Sequence, residues 1–503
     1  MSSLESALKR FFQYDQFREG QKQVIEAVLA GDDVLAMLPT GTGKSICYQL
    51  PALLLEGTAI IVSPLLSLME DQVQQLHSIG LKKAVALNSF LSWEERIKVV
   101  NQLHLYKLVY VSPEVLQSSF VIQKLKTMQI SLFVIDEAHC ISQWGHEFRT
   151  DYLKLTQVRT MLQRPPCLAL TATATKEIQT DIIHHLQLTN ETRLLYSVDR
   201  PNIAIAVEKL ETINDKVSIL TKYVSELQGP GMIYFSSRAW AEKMAMHLRD
   251  QGIDNVAYYH GGLSQEDRIL IQQQFMNEQL QIICCTNAFG MGINKNNVRF
   301  VIHFHYPNQI ESYLQEIGRA GRDQQNSIAI LLYCEEDQVL PLSLIDHEFP
   351  TVEQLRIVLS FLSQVERLEK GDDLLLQQTA NLEETVWRFI QYHLEEQNVL
   401  VDGVVSIKGR EQEMVELFER KIKERVKHKA KKLSEIEEWI YSSSCKRTGY
   451  LHLFDQTLIN KPEQCCTECG IELDIYRKTG ENRNEKKIEI SNWELQLKQI
   501  FHQ

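Results

Sequence analysis

From Asp33 to about residue 335, short apolar runs alternate with longer stretches of helical period. DVLAM (33–37), TAIIV (58–62), KLVYV (107–111), SLFVI (131–135) and CLALT (167–171) are rich in branched and aromatic residues. Such continuous runs predict strands buried on both faces. GMIYF (231–235), VAYYH (256–260), QIICC (281–285), RFVIH (299–303) and SIAILL (327–332) repeat the pattern further along. The intervening segments are long enough for helical crossovers. The chain is therefore expected to be α/β, with two doubly wound parallel sheets. Proline interrupts the alternation at Asp199-Arg200-Pro201-Asn202, so the expected units are 1–200 and 201–340. No repeat of 20–50 residues is visible.

The pattern changes after residue 340. TVEQLRIVLSFL (351–362) reads as a helix, and a second spans 382–401 with Val386, Phe389, Ile390, His393 and Leu394 on its apolar face. VLVDGVVSIKG (399–409) then alternates around Asp402-Gly403, a favourable hairpin turn. Helix, helix and hairpin fit either a winged helix at 341–410 or a purely structural helical insert. Glu383, Glu384, Glu395 and Glu396 disfavour the second helix as a reader of the major groove. A basic amphipathic helix follows at about 411–432, carrying Lys421, Lys423, Arg425, Lys427, Lys429, Lys431 and Lys432. It fits a solvated face or a track for a nucleic-acid backbone. It opens a helical, cysteine-bearing module expected over 411–475. The remainder, 476–503, reads as a linker (RKTGENRNEKK) and a short amphipathic tail with Ile490, Trp493, Leu497 and Ile500.

Three motifs bring chemistry to the two sheets. MLPTGTGKS (37–45) follows the first strand and leads into a helix. In Thr40-Gly41-Thr42-Gly43 the glycines let the backbone aim N–H groups at phosphate oxygens. Lys44 supplies a point charge for the β- and γ-phosphates, and Ser45 a hydroxyl for Mg²⁺. Leu38 stands where this motif usually starts with glycine. A Gly/Thr-rich turn alone can be punctuation, but DEAH (136–139) ends a buried strand, where α/β sheets place ligands. Asp136 is suited to Mg²⁺ and Glu137 to activating water. In QEIGRAGRD (315–323), Arg319 and Arg322 share a helix face. The small residues Gly318, Ala320 and Gly321 between and beside them permit close approach to another surface. Arginines so presented can stabilise charge on a transferring phosphoryl group.

With these motifs in order, the chain resembles the RecQ family of superfamily 2 DNA helicases over roughly 8–335 and again near 433–470. FRxxQ appears as Phe17, Arg18 and Gln21, and IVSPLLSLMEDQV (61–73), YVSPEVL (110–116), LTATAT (170–175) and FGMGI (289–293) resemble the rest of the series. CISQWGHEFR (140–149) resembles the family's aromatic-rich loop. The resemblance implies two RecA-like domains that close on ATP and Mg²⁺, with Gln21 reading adenine and Gly292 and Asn294 beside the nucleotide. It further implies that Gln143, Trp144, His146, Phe148 and Arg149 report DNA to Glu137. Stacking of bases on Trp144 and Phe148 would be worth about 1–3 kcal/mol each. Departures are Glu147 and Asn294, where aspartate is usual, and Gln324 in place of a glycine. The implied activity is 3′→5′ unwinding of DNA with single-stranded 3′ tails or forks, in recombination or repair. Single-strand-binding and recombination proteins are the implied partners, at the bacterial nucleoid. An RNA helicase and an ATP-gated annealing protein remain as rivals.

Composition narrows the picture. A length of 503 residues suggests about three domains, and 44% apolar content supports ordinary cores. The net charge of −12, from 53 basic and 65 acidic residues, predicts weak nonspecific DNA affinity at physiological salt. No signal peptide or membrane-length apolar run is evident, so the ten cysteines are expected as reduced thiols in a cytoplasm, with no membrane partner. Cys47, Cys140, Cys167, Cys284, Cys285 and Cys334 read as small core residues. Cys445, Cys465, Cys466 and Cys469 suit a structural Zn²⁺. Cys445-Lys446-Arg447 resembles the start of the family's zinc module, whose further CxxC steps are replaced by Glu463 and Glu472. The 34 residues from Gly470 to Gln503 are too few for both domains that usually follow in the family.

Overall fold

The structure, a computed structural model, describes the chain from Ser3 to Lys478 apart from residues 89–90, 143–148, 290–294, 340, 342–344, 346–347, 370 and 402. The first sheet contains β1 (Val34–Met37), β2 (Thr58–Val62), β3 (Ala84–Leu87), β4 (Leu108–Val111), β5 (Ile130–Ile135), β6 (Cys167–Thr171) and β7 (Thr192–Leu195). Their order is β3-β4-β2-β5-β6-β1-β7, with every pair parallel. The two-residue period of a strand sends alternate side chains into different cores. Leu35 and Met37 enter one, while Val34 and Ala36 enter the other.

The second sheet contains β8 (Ile203–Lys209), β9 (Gly231–Tyr234), β10 (Val256–Tyr259), β11 (Ile282–Cys285), β12 (Phe300–His303) and β13 (Ser327–Tyr333). It is also wholly parallel, in the order β10-β11-β9-β12-β13-β8. The chain passes from β7 to β8 through residues 196–202. Strands β3, β7 and β8 add to the expected set, and each is a sheet edge.

Beyond the second sheet, helices Val352–Gln364, Asp372–Thr379 and Glu384–Glu396 precede the antiparallel pair Leu400–Val401 and Val404–Val405. The middle helix is additional to the expected pattern, and Asp402 of the expected turn lies outside the described residues. Leu355, Leu359, Leu362, Ile390, Leu394, Met414 and Phe418 form a separate core here. The basic helix runs well past its expected end, from Glu411 to Tyr441 over 31 residues, about 46 Å long. Met414 and Phe418 at its start join the insert core, whereas Leu433, Ile436, Trp439 and Ile440 join the main one. Much of its basic charge is structurally committed. Lys421 meets Glu396, Lys429 meets Glu348, Lys432 meets Glu311, and the Arg425 guanidinium lies over Phe349 and Phe389. Among the described residues no helix is long and apolar enough to cross a membrane.

Candidate active site

The sheet order places the chemistry. β5, β6 and β1 are neighbours, so DEAH, LTATAT and the phosphate loop leave adjacent strand ends. Gly41 and Gly43 adopt φ values of 83° and 74°, which side chains with a Cβ resist. The loop is braced from below. Arg18 Nη1 donates to Gly41 O, and Gln21 Nε2 donates to Thr42 O at 2.8 Å and Gly43 O at 3.0 Å. The Gln21 amide thus supports the loop itself in this state, while Phe17 packs on the adjoining core. Ser45 leads into helix Ile46–Leu54 and makes no capping bond.

Lys44 Nζ lies 3.9 Å from Glu137 Oε1. Asp136 is buried, and burial together with the Glu137 charge pushes its carboxyl up to about 7, with Lys44 opposing. Added divalent charge would reverse that balance, so the Asp136 carboxylate, with the Ser45 hydroxyl at the head of the following helix, would hold Mg²⁺. Glu137 sits at φ 50°, a left-handed conformation uncommon for a residue with a side chain. That twist turns the carboxylate towards Lys44 and towards His139 Nδ1, 3.4 Å from Oε2. His139 also meets Thr171 Oγ1 at 3.1 Å, and Thr173, held to Thr171, accepts from Gln315 Nε2 at 3.4 Å. The acidic box is thereby connected to the second sheet's arginine segment.

Helix Ile310–Ile317 ends before both arginines, so Arg319 and Arg322 lie on a turn, with Gly321 at φ 55°, and do not share the expected helix face; this turn abuts the phosphate loop. A Cβ on Gly318 would fall 1.8 Å from Thr40 Oγ1, which explains glycine at that point. A Cβ on Gly41 would lie 3.0 Å from Arg322 Cγ. Arg322 thus packs over the phosphate loop from the opposite domain, close enough to feel the Glu137 charge, with Arg319 beside it and beside Tyr234. Arg322 is pushed down to about 9 by burial and by the nearby Arg319 and Arg200 charges. Arg200 is likewise pushed down to about 10, mainly by burial. Buried guanidinium groups facing a loop of phosphate-binding geometry form a site matched to a polyanion.

Arg200 is not among the residues the sequence motifs point to, since Pro201 marks this stretch only as a boundary. Its signal was a charged pair inside a short linker, where a flexible connection would favour Gly or Ser. Gln143, Trp144, His146, Phe148, Gly292 and Asn294 lie outside the described residues. Arg149 lies 3.9 Å from Glu114. Beside it, Arg388 of the insert pairs with Asp151 at 3.2 Å and Glu114 at 3.5 Å, and Lys154 pairs with Glu395 at 2.5 Å. The insert therefore touches the first domain next to the aromatic-rich segment.

The cysteines converge as expected. Sγ atoms of Cys445, Cys465, Cys466 and Cys469 lie within 4.8 Å of one another, with Cys445 to Cys465 at 3.7 Å and Cys445 to Cys466 at 3.9 Å. Zinc bound by four thiolates at about 2.3 Å separates its sulfurs by about 3.8 Å, so the set fits that ion. The other six cysteines are buried thiols outside any disulfide, as core residues.

Two parallel α/β domains, with a phosphate loop and an acidic box on one and an arginine segment on the other, define a helicase-type ATPase motor. Residues 18–181 match the DEAD/DEAH box helicase model and 215–324 the helicase conserved C-terminal domain. The probable ATP-dependent DNA helicase RecS of Bacillus subtilis is 44% identical over all of this chain and 98% of its own length. The ATP-dependent DNA helicase RecQ of Haemophilus influenzae is 45% identical over 65% of this chain, which spans 53% of that relative. The chain belongs to the RecQ family of ATP-dependent DNA helicases, in a form matching RecS from end to end. Solved structures share the fold at lower identity. They include the DUF1998 helicase MrfA bound to DNA and AMPPNP (TM-score 0.57, 19% identity, 68% of this chain and 51% of that one). The DEAD-box helicase Mss116 bound to single-stranded RNA and UDP-BeF matches with TM-score 0.57 and 17% identity, over 79% of this chain and 90% of that one.

Proposed function

We propose that this helicase moves 3′→5′ along single-stranded DNA and unwinds 3′-tailed or forked duplexes during recombination or repair. The reading divides it into motor domains 1–200 and 201–340, an insert at 341–410, a zinc module at 411–475 and a tail. The observation that supports it most is the abutment of Gly318 on Thr40, which brings the arginine segment, Arg322 in front, to the phosphate loop. ATP bound there would lie with its γ-phosphate between Lys44 and the two arginines. Mg²⁺ would supply charge neutralisation at the phosphates, held by Ser45 and Asp136. Glu137 would take the proton from the attacking water, and His139 and Lys44 hold its carboxylate in place. Loss of the γ-phosphate removes the anion that offsets Arg319 and Arg322. Their mutual repulsion then favours reopening, which shifts the grip on DNA. Gln143, Trp144, His146, Phe148 and Arg149 would stack on or hold the strand and link its presence to Glu137.

Strand separation tests this reading, with 3′-tailed and 5′-tailed duplexes compared in ATP and Mg²⁺ beside a Lys44→Ala control. Unwinding of the 3′-tailed substrate by the wild type alone is expected. Preference for the 5′ tail would overturn the polarity, and DNA-stimulated ATPase without unwinding would overturn the helicase step in favour of translocation or annealing.

A further inference from the structure

We infer that Arg200, in the linker between the two motor domains, is a positioning residue that sets the arginine segment against the phosphate loop. The inference rests on the reading of Arg319 and Arg322 as the residues that stabilise the transferring phosphate. Arg200 is 8% exposed and points from the linker into the domain junction. Its Nη1 donates to Thr40 O of the phosphate loop at 2.8 Å and to Gly318 O of the arginine segment at 3.0 Å. Its Nη2 donates to Ala320 O at 3.1 Å and Gly321 O at 2.6 Å. A guanidinium has five N–H donors in a planar fork. Four are committed here to backbone carbonyls of two different domains, so Arg200 is fitted to hold loops rather than to grip phosphate.

The neighbouring residues make the same connection. Asn202 Nδ2 donates to Gly321 O and Gln325 O, each at 2.9 Å. Asp199 Oδ1 accepts from Arg200 N at 2.8 Å and from Tyr450 Oη at 2.6 Å, and it also pairs with Arg447. Arg447 is fully buried and donates to Arg200 O at 3.1 Å, so the linker is fixed from the side away from the cleft. Held at both ends, the Arg200 fork defines how far Arg319 and Arg322 stand from Lys44. Lysine cannot substitute, because its donors radiate from one point and cannot span Thr40 and the 318–321 carbonyls together.

The test compares Arg200→Ala, Arg200→Lys and Arg322→Ala for DNA-stimulated kcat, KM for ATP, and affinity for ADP alone against ADP–aluminium fluoride. A misplacement of about 1 Å can cost about 100-fold in rate. Arg200→Ala is expected to lose about that much kcat and its selective affinity for ADP–aluminium fluoride, with KM and ADP affinity within a few fold of wild type. Arg200→Lys keeps charge and bulk and decides the matter if the alanine variant fails to fold; about tenfold or greater loss of kcat is expected. Wild-type kcat in Arg200→Lys with Arg322→Ala inactive would overturn the positioning role alone. Loss of ADP affinity in parallel with kcat would make Arg200 a ligand-binding residue instead. Wild-type kcat in Arg322→Ala would remove the reading on which the inference rests.

Discussion

Arg322, proposed to serve turnover, also costs the resting protein something. Burial, with the like charges of Arg319 and Arg200 adding to it, holds it down to about 9. Replacing it with alanine removes repulsion along with the charge proposed to act on the phosphate. Arg322→Ala is therefore expected to keep nucleotide-free thermal stability and ATP binding, while turnover falls by about 10³-fold or more. Calorimetry and steady-state ATPase would check both halves, and near-normal turnover in Arg319→Ala and Arg322→Ala alike would exclude these residues from the mechanism. Residues of this kind were legible in the sequence because phosphate chemistry needs particular residue types at fixed spacing: glycines at Gly41 and Gly43, Lys44, the Asp136-Glu137 pair. Arg200 was not legible. Its partners are backbone carbonyls, which leave no residue-type signature, and they lie more than 100 positions away at 318–321.

At the scale of elements, what was legible followed burial. Strands covered on both faces, such as β1 with four buried residues in a row, advertise themselves as apolar runs. Among the additional strands only β7, at a sheet edge, alternates intermediate with exposed positions; β8 buries five residues in a row, so burial does not account for its absence from the expected set. The helix Glu411–Tyr441 was legible as basic, but its far end packs through Trp439 and Tyr441 in a context that charge pattern does not reveal. The end of β12 carries a testable electrostatic consequence. His305 lies just beyond it, among Phe235, Trp240 and Phe304, with the Lys216 ammonium nearby. Burial, reinforced by Lys216, pushes it down to about 3, and its Nδ1 accepts from Ser236 N at 3.2 Å, so it is folded neutral. In the unfolded chain it would titrate near its ordinary value of 6.5. Between those values the unfolded state binds the extra proton, so the stability present above 6.5 is lost as pH falls towards 3. The slope from this one group is at most about 1.4 kcal/mol per pH unit. His305→Asn keeps an acceptor without the titration, and its denaturation midpoint should decline less steeply than wild type from pH 6.5 to 5. Parallel declines would show that His305 does not contribute.

Across the whole molecule, the cysteine module is joined to the motor by backbone as well as side chains. Ile205 N of β8 donates to Cys465 O at 3.2 Å, and Cys466 forms a bridge with Ile205 on the edge of the second sheet. Two residues beyond Cys445, Arg447 reaches Asp199 in the linker. The four thiols therefore close a loop that fastens the chain after the long helix onto both the edge strand and the linker. Zinc bound to such sets contributes directly to folding; in small isolated fingers this amounts to about 10–16 kcal/mol. Here the motor sheets have cores of their own, so the loss should be partial. One zinc per chain is expected by metal analysis. Its removal with a strong chelator should lower the melting temperature by several degrees and expose the segment from Ser442 to Lys478 to proteases before the sheets unfold. Because Arg447 would lose its fixed anchor, the linker should loosen in the same step, and readdition of Zn²⁺ should restore both protection and melting temperature. A protein purified without metal, with an unchanged melting temperature and a protected 442–478 segment, would mean that packing on β8 alone holds the module and that the four thiols converge without a metal's help.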